Sequence, residues 1–210
     1  MSKHIDTLTN MPNRVAFDAT LKETVAQGGS AALALLDIDN FLEVNSDFGH
    51  DVGDSVLQNL AGLLQETPGS SVYRLSGDEF AMLLPNVTLE QAFLQMEQLR
   101  ARVAQSAERF GLPDGRAVNV TIGVAQFPRD ARDARALHEA ADAALYAAKE
   151  AGRNQVALPP NEEMVMKSCY YPSSSIRKLK VLGERLGRKD SQLLREALDD
   201  LFRKYDTVRG

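Results

Sequence analysis

A mixed α/β or α+β sheet with helices mainly on one face is the fold class that three features of the 210-residue sequence predict. The first is a dense apolar run of strand length, Ala31 to Ile38. The second is a pair of apolar segments, Val72 to Leu75 and Phe80 to Leu84, around a tight turn holding Gly77, Asp78 and Glu79. The third is a set of longer stretches whose apolar residues recur at helical spacing.

The elements follow in order. Arg14 to Val25 reads as a helix, with Val15, Leu21 and Val25 apolar, and Gln27-Gly28-Gly29-Ser30 breaks it. Ala31 to Ile38 lacks polar residues before its end, which predicts a central strand buried on both faces. After the short segment Phe41 to Phe48, Gly49 and His50 lead into a helix striped by Val52, Val56, Leu60, Leu63 and Leu64. Thr67-Pro68-Gly69-Ser70 ends that helix before the hairpin. Leu89 to Phe110 is a second long helix, with Leu89, Phe93, Met96, Leu99 and Val103 inward. Pro113-Asp114-Gly115 turns the chain into a strand over Ala117 to Phe127. A third helix carries Leu137, Ala141, Leu145 and Ala148 and is closed by Gly152. Asn154 to Leu158 is a last short strand.

Polar residues at element ends carry the chemistry. Asp37 and Asp39 close the buried strand, and strand alternation sets them on one side. A carboxylate there must reach solvent or bind something. Asp78 and Glu79 are adjacent anions at a hairpin tip, which suits a divalent cation held by oxygen ligands; an ordinary acidic turn is the alternative reading. Asp54 lies about 200° from Val52 around its helix, free to face a cleft or simply solvent.

Taken together the motifs match a family. Leu8-Thr9-Asn10-Met11-Pro12-Asn13-Arg14, Leu36-Asp37-Ile38-Asp39-Asn40-Phe41, Asn45 with Gly49-His50 and Gly53-Asp54, and Ser76-Gly77-Asp78-Glu79-Phe80 occur in order. Thr121-Ile122-Gly123-Val124-Ala125, Ala141-Asp142-Ala143-Ala144-Leu145-Tyr146, Lys149 and Gly152-Arg153-Asn154 follow. Over about residues 5–158 the chain resembles the GGDEF domain of diguanylate cyclases. The resemblance implies an α+β, palm-like (ferredoxin-like) nucleotide-cyclase fold, with a central sheet flanked by helices. It also implies an activity, the joining of two GTP molecules into cyclic di-GMP with loss of two pyrophosphates, one GTP per subunit across a dimer. By that match Asp37, Ile38, Asp78 and Glu79 are the metal positions, for Mg²⁺ or Mn²⁺. Asp37, Asp78 and Glu79 are the catalytic set, with the split between metal ligand and proton acceptor left open for Glu79. Asn45 and Asp54 match the guanine readers; a carboxylate accepts from both N1–H and the 2-amino group, a donor pair that adenine lacks. Lys149 and Arg153 match the cations on the terminal phosphates, and their i, i+4 spacing is expected to bring them together.

The chain departs from the family pattern at three places. Ser76 replaces the first signature glycine, a cost on the order of 1–2 kcal/mol if its φ is positive. Leu42 stands where the family usually has lysine. Thr67 and Ser70 occupy the ends of the family's inhibitory Arg-x-x-Asp, so inhibition by product through that site is expected to be absent.

Beyond the GGDEF-like domain, residues 1–158, Pro159-Pro160-Asn161-Glu162-Glu163 reads as a linker and residues 164–210 as a small strand-helix-helix unit. Met164 to Tyr171 is the expected strand. The first helix has Ile176, Leu179, Leu182 and Leu186 and stops at Gly187; the second starts at Asp190 with Leu194, Ala197, Leu198 and Leu201 inward. This order resembles the ribbon-helix-helix family, in which paired strands enter DNA. Lys167 on the core side and Met166 as a base reader fit poorly, so dimerisation alone competes with DNA binding. Charge agrees with two units: residues 164–210 carry 11 Lys/Arg against 6 Asp/Glu, leaving 13 against 23 for residues 1–163.

Composition sets the remaining bounds. With 44% hydrophobic and 25% charged residues the chain is globular material. A single cysteine, Cys169, argues for no disulfide. No apolar run reaches the roughly 20 residues of a membrane span, and no signal-peptide core opens the chain, so a cytoplasmic protein is expected. The leading expectation is an active cyclase dimerised through residues 164–210. The alternative is a GTP-binding regulatory module, weakened in catalysis by Ser76 and Leu42, that acts through its tail.

Overall fold

The computed structural model describes residues 4–159, 171–188 and 190–206. The chain divides into two compact units, Met1–Asn161 and Glu162–Gly210. In the first, α1 (Arg14–Ala26), β1 (Ala31–Ile38), α2 (Phe41–Phe48) and α3 (His50–Gln65) precede the hairpin of β2 (Ser71–Ser76) and β3 (Glu79–Pro85). Then come α4 (Leu89–Gln105), α5 (Ala107–Phe110), β4 (Val120–Phe127), α6 (Ala134–Glu150) and β5 (Val156–Ala157).

The five strands form one mixed sheet in the order β2-β3-β1-β4-β5. The apolar run of β1 is central, antiparallel to both β3 and β4. Its residues alternate between two cores. Ala32, Ala34, Leu36 and Ile38 pack with Phe80, Met82, Leu84 and Ile122 under α2, α3 and α4. Leu33 and Leu35 pack with Ala81, Leu83 and Ala125 under α1 and α6, against Phe17, Leu21, Leu137 and Leu145. The helices therefore cover both faces of the sheet, not mainly one. A strand that is apolar at every position needs cover on both sides, and α1 and α6 supply it on the second face.

Element ends differ from the sequence expectation for local reasons. The strand expected from Ala117 begins at Val120, the partner of Ile38 where β1 stops. The strand expected from Asn154 shrinks to two residues, because Asn154 lies in the left-handed region with φ +45°. The helix expected through Phe110 breaks at Ser106, whose hydroxyl donates to the Arg102 carbonyl at 2.7 Å, and resumes as α5.

Gly123 sets how closely α6 lies on the sheet. A Cβ at Gly123 would collide with the main chain of Ala141 and Leu145 in α6. Its bare backbone lets the helix rest on β4, and Lys149, one turn beyond Leu145, comes over the end of β1.

In the second unit, α7 (Ser173–Leu186) ends at Gly187, in the left-handed region with φ +64°, and α8 (Asp190–Asp206) follows. The strand expected over Met164 to Tyr171 lies, except for Tyr171, outside the described residues. Leu193 is buried against Gly183, whereas Leu194, Ala197, Leu198 and Leu201, expected inward, are exposed. A unit of two helices, of 14 and 17 residues, has too little surface to bury a full apolar stripe on each.

Gly123→Ala is expected to destabilise the first unit by about 1–3 kcal/mol, the scale of overpacking a close helix-on-sheet contact. Urea unfolding checks this, with a lower midpoint and an unchanged slope. A midpoint equal to that of the parent chain would show that α6 yields without cost.

Candidate active site

The site forms where β1 ends. Asp37 faces Glu79 on β3 and Thr121 on β4 across the sheet, so three polar residues share a row on the α6 side. Lys149 reaches down from α6 and places its Nζ 2.7 Å from Asp37 Oδ2. Both side chains of that pair are partly buried, which strengthens the attraction relative to a surface pair. Asp78 sits half-buried at the hairpin tip. Burial, and then the negative charge of Asp37 beside it, push its carboxyl above the ordinary carboxylate range.

The tip is held from behind. Gly77 has φ +44°, the conformation the reversal requires, and its carbonyl accepts from Arg74 Nε and Nη2 at 3.1 and 2.7 Å. Arg74 Nη1 donates to Asp6 Oδ1 at 2.9 Å, tying the N-terminal turn to the hairpin. Ser76 is not among the described residues with positive φ, so the steric cost expected of it does not arise. Its hydroxyl instead donates to Glu79 Oε2 at 3.3 Å. Glu79 also takes Arg14 Nη2 at 3.0 Å, from the first turn of α1.

The sequence-predicted residues thus separate into groups. Asp37, Asp78 and Lys149 come together. Glu79 borders them but is engaged by Arg14 and Ser76. Ile38 is the last residue of β1, with its side chain in the core. Among the described residues, no three His, Cys, Asp or Glu side chains converge into a metal-binding cluster. The donor set still suits a hard cation: Asp37 and Asp78 offer carboxylate oxygens and repel each other.

Asn45 lies on α2 with its Oδ1 over Gly53, where a Cβ would collide with it. Gly53 lets α2 and α3 pack closely and sets Asn45 beside the turn that carries the exposed Asp54. Lys149 and Arg153 do not share a helix face, since α6 ends at Glu150 and Arg153 has φ +64°. Asp39 points into a different network, and burial raises its carboxyl above the usual range. Leu42 is 83% exposed at the start of α2.

Among the recesses of the first unit, two differ in their chemistry. One of about 370 Å³ is lined by Glu79, Glu139, Asp142, Tyr146 and Lys149 and opens on the site. A larger groove of about 600 Å³, lined by Thr67, Pro68, Leu94, Gln98 and Arg102, lies elsewhere. There Arg102 Nη2 donates to the Leu63 carbonyl at 2.7 Å and to Thr67 Oγ1 at 3.2 Å, closing the end of α3. The larger groove lacks converging carboxylates, so the chemistry points to the smaller recess. Sequence reading passed over Arg14, Arg74 and Thr121. Each left a signal: Arg14 and Thr121 lie inside matched motifs, and Arg74 is a cation inside an otherwise apolar strand.

Comparison with known proteins agrees with this geometry. The family model described as diguanylate cyclase, GGDEF domain, matches residues 3–155. The chain is 39% identical over 158 residues to diguanylate cyclase DgcP of Pseudomonas aeruginosa, covering 72% of this chain and 23% of that protein. It is 35% identical over 167 residues to the uncharacterized protein YhcK of Bacillus subtilis, covering 76% of this chain and 46% of that one. The chain therefore spans less than half the length of these relatives. Among solved structures, the GGDEF domain of DgcB from Caulobacter crescentus in complex with c-di-GMP aligns with a TM-score of 0.70 and 33% identity, covering 77% of this chain and 96% of that one. The active GGEEF domain of a diguanylate cyclase from Vibrio cholerae aligns with a TM-score of 0.66 and 31% identity, covering 71% and 98%. The palm-like α+β fold, a mixed five-stranded sheet flanked by helices, is shown by these alignments.

The raised carboxyl of Asp78 has a consequence for stability. A folded-state pKa above the unfolded value means that the folded chain holds this proton more tightly. Stability from this group is complete below the unfolded value of about 3.8 and is lost as pH rises through the raised pKa. Asp78→Asn is therefore expected to melt higher than the parent chain at pH 7 in chelator-containing buffer. The gain should shrink as pH falls towards 4. A variant that melts lower at pH 7 would contradict the electrostatic account.

Proposed function

Because the chain belongs to the GGDEF-domain family of diguanylate cyclases, we propose that it condenses two GTP molecules into cyclic di-GMP with release of two pyrophosphates. The observation that carries this reading is the Asp37–Asp78 carboxylate pair with Lys149 above it, at the end of the central strand. Asp37, Ile38, Asp78 and Glu79 would hold Mg²⁺ or Mn²⁺. When bound, the cation supplies charge neutralisation for the triphosphate and acidifies the 3'-hydroxyl. Lys149 exchanges Asp37 for phosphate oxygen, and Arg153 binds from the following turn. Asn45 and Asp54 read the guanine edge, with Asp54 favouring GTP over ATP.

Glu79 or Asp78 takes the proton of the 3'-hydroxyl, and Glu79 must leave Arg14 to do so. The 3'-oxygen forms a bond to the α-phosphorus of the GTP on the opposite subunit. The bond from that phosphorus to the departing pyrophosphate breaks, and a second step of the same kind closes the ring. Two subunits must face each other, since each holds one nucleotide. The exposed Val181, Phe202 and Tyr205 of α7 and α8 support a pairing role for the tail, residues 164–210. DNA is the second candidate partner there, resting on the ribbon-helix-helix pattern alone.

Purified protein incubated with GTP and Mg²⁺ is expected to yield cyclic di-GMP, and excess EDTA should abolish the product. Asp37→Ala and Asp78→Ala should each lower turnover at least about a hundredfold. Tight GTP binding without product would favour the regulatory-module reading. ATP turned over as well as GTP would refute the role of Asp54.

Deletion of residues 159–210 is expected to lower specific activity most at low protein concentration, with partial recovery as concentration rises. Equal activity at every dilution would assign the tail another role, and salt-dependent binding to duplex DNA would then identify it.

A further inference from the structure

Asp37 and Asp39 read in sequence as two carboxylates closing one strand on the same side, and the fold turns the second one to partners inside the first unit. Asp39 Oδ1 accepts from the Thr121 hydroxyl at 2.5 Å, and Asp39 Oδ2 accepts from the Asn154 main-chain N–H at 2.9 Å. Thr121 Oγ1 accepts from the same N–H, also at 2.9 Å, and is fully buried. Each oxygen of Asp39 already serves a donor inside the first unit.

That N–H belongs to a turn that few sequences adopt unaided. Arg153 and Asn154 have φ of +64° and +45°, two successive non-glycine residues in the left-handed region. Such backbone persists only where neighbours hold it from several sides. Here Arg153 N donates to the Ala148 carbonyl at 3.0 Å, and Gln155 Nε2 donates to that carbonyl at 2.8 Å. Arg100 Nη1 donates to Asn154 Oδ1 at 2.9 Å from α4. Asp39 and Thr121 supply the remaining side, from the ends of β1 and β4.

We infer that Asp39 and Thr121 are positioning residues, which lock the Arg153–Asn154 turn in its left-handed form and so aim the Arg153 guanidinium at the terminal phosphates of the nucleotide. This rests on the phosphate role proposed for Arg153. It adds that the cation is placed by the strand that also carries Asp37, so phosphate and carboxylate ends of the site share one support. With the turn released, Arg153 would have no fixed direction, and only contacts beyond the α-phosphate would weaken.

The test measures dissociation constants of the full chain for α,β-methylene GTP and for GMP, in Mg²⁺, with thermal melting as a check of folding. Thr121→Val, nearly the same shape without the hydroxyl, is expected to weaken the triphosphate about tenfold, the scale of one charged hydrogen bond, and to leave GMP unchanged. Thr121→Ser should bind both like the parent chain. Asp39→Ala should show the pattern of Thr121→Val, which decides the matter if Asp39→Ala fails to fold. The double variant Arg153→Ala/Thr121→Val should bind no more weakly than Arg153→Ala alone, since both changes remove one contact. Equal losses for triphosphate and GMP, or additive losses in the double variant, would overturn the positioning role. A normal loss in Arg153→Ala beside an unaffected Thr121→Val would overturn it while sparing the phosphate assignment. An unaffected Arg153→Ala would overturn both.

Discussion

Two carboxylates kept near each other in a half-buried place are costly to a folded chain, and the first unit is arranged around keeping Asp37 and Asp78 there. The cost is partly offset by Lys149, whose ammonium meets Asp37 from the helix above. It is otherwise met by rigidity. Asp37 cannot withdraw because β1 is paired on both sides, and Asp78 cannot withdraw because Arg74 grips the Gly77 carbonyl behind it. Such a site gives up stability for a poised charge, as functional sites often do.

The same strand end organises the cations. Gly123 admits α6 to contact distance and thereby brings Lys149 to Asp37. Beyond the helix, the chain turns through two left-handed residues that Asp39 and Thr121 hold. Arg14 does similar work on the other side, at the start of α1 over Glu79. Lys149 and Arg14 thus reach the acidic strand ends from two separate helices. Each depends on a different contact, and none of those contacts is local in sequence.

The second unit follows a different logic. Its helices keep apolar side chains such as Val181, Phe202 and Tyr205 exposed. A unit of this size cannot bury two stripes by folding alone. Its basic balance sets it apart from the acidic first unit. Among its described residues, Leu193 meets Gly183, Arg188 pairs with Glu196, and Gly187 turns the chain between the helices in the left-handed region.

Much of the first unit is legible from local pattern. The strand Ala31–Ile38, the hairpin around Gly77 and the stripe of α6 follow from apolar period and turn chemistry, because those signals are set by neighbours along the chain. The motifs named Asp37, Asp78, Asn45, Asp54 and Lys149, and the pairing of Asp37 with Lys149 fits their joint placement. What local pattern could not supply is which face each helix covers, since an apolar strand asks for cover on both sides without saying from where. It could not place Arg153 either, because a spacing of four suggests one helix face only while the helix continues. Nor could it separate Asp39 from Asp37: alternation puts both on one side, and the Thr121 hydroxyl, brought across by the β1–β4 register, together with the Asn154 N–H draws one of them away. The sequence by itself determined the elements and the charged residues at their ends; the tertiary register decided the partners, because hydrogen bonds and ion pairs act over a few ångströms between segments far apart in the chain.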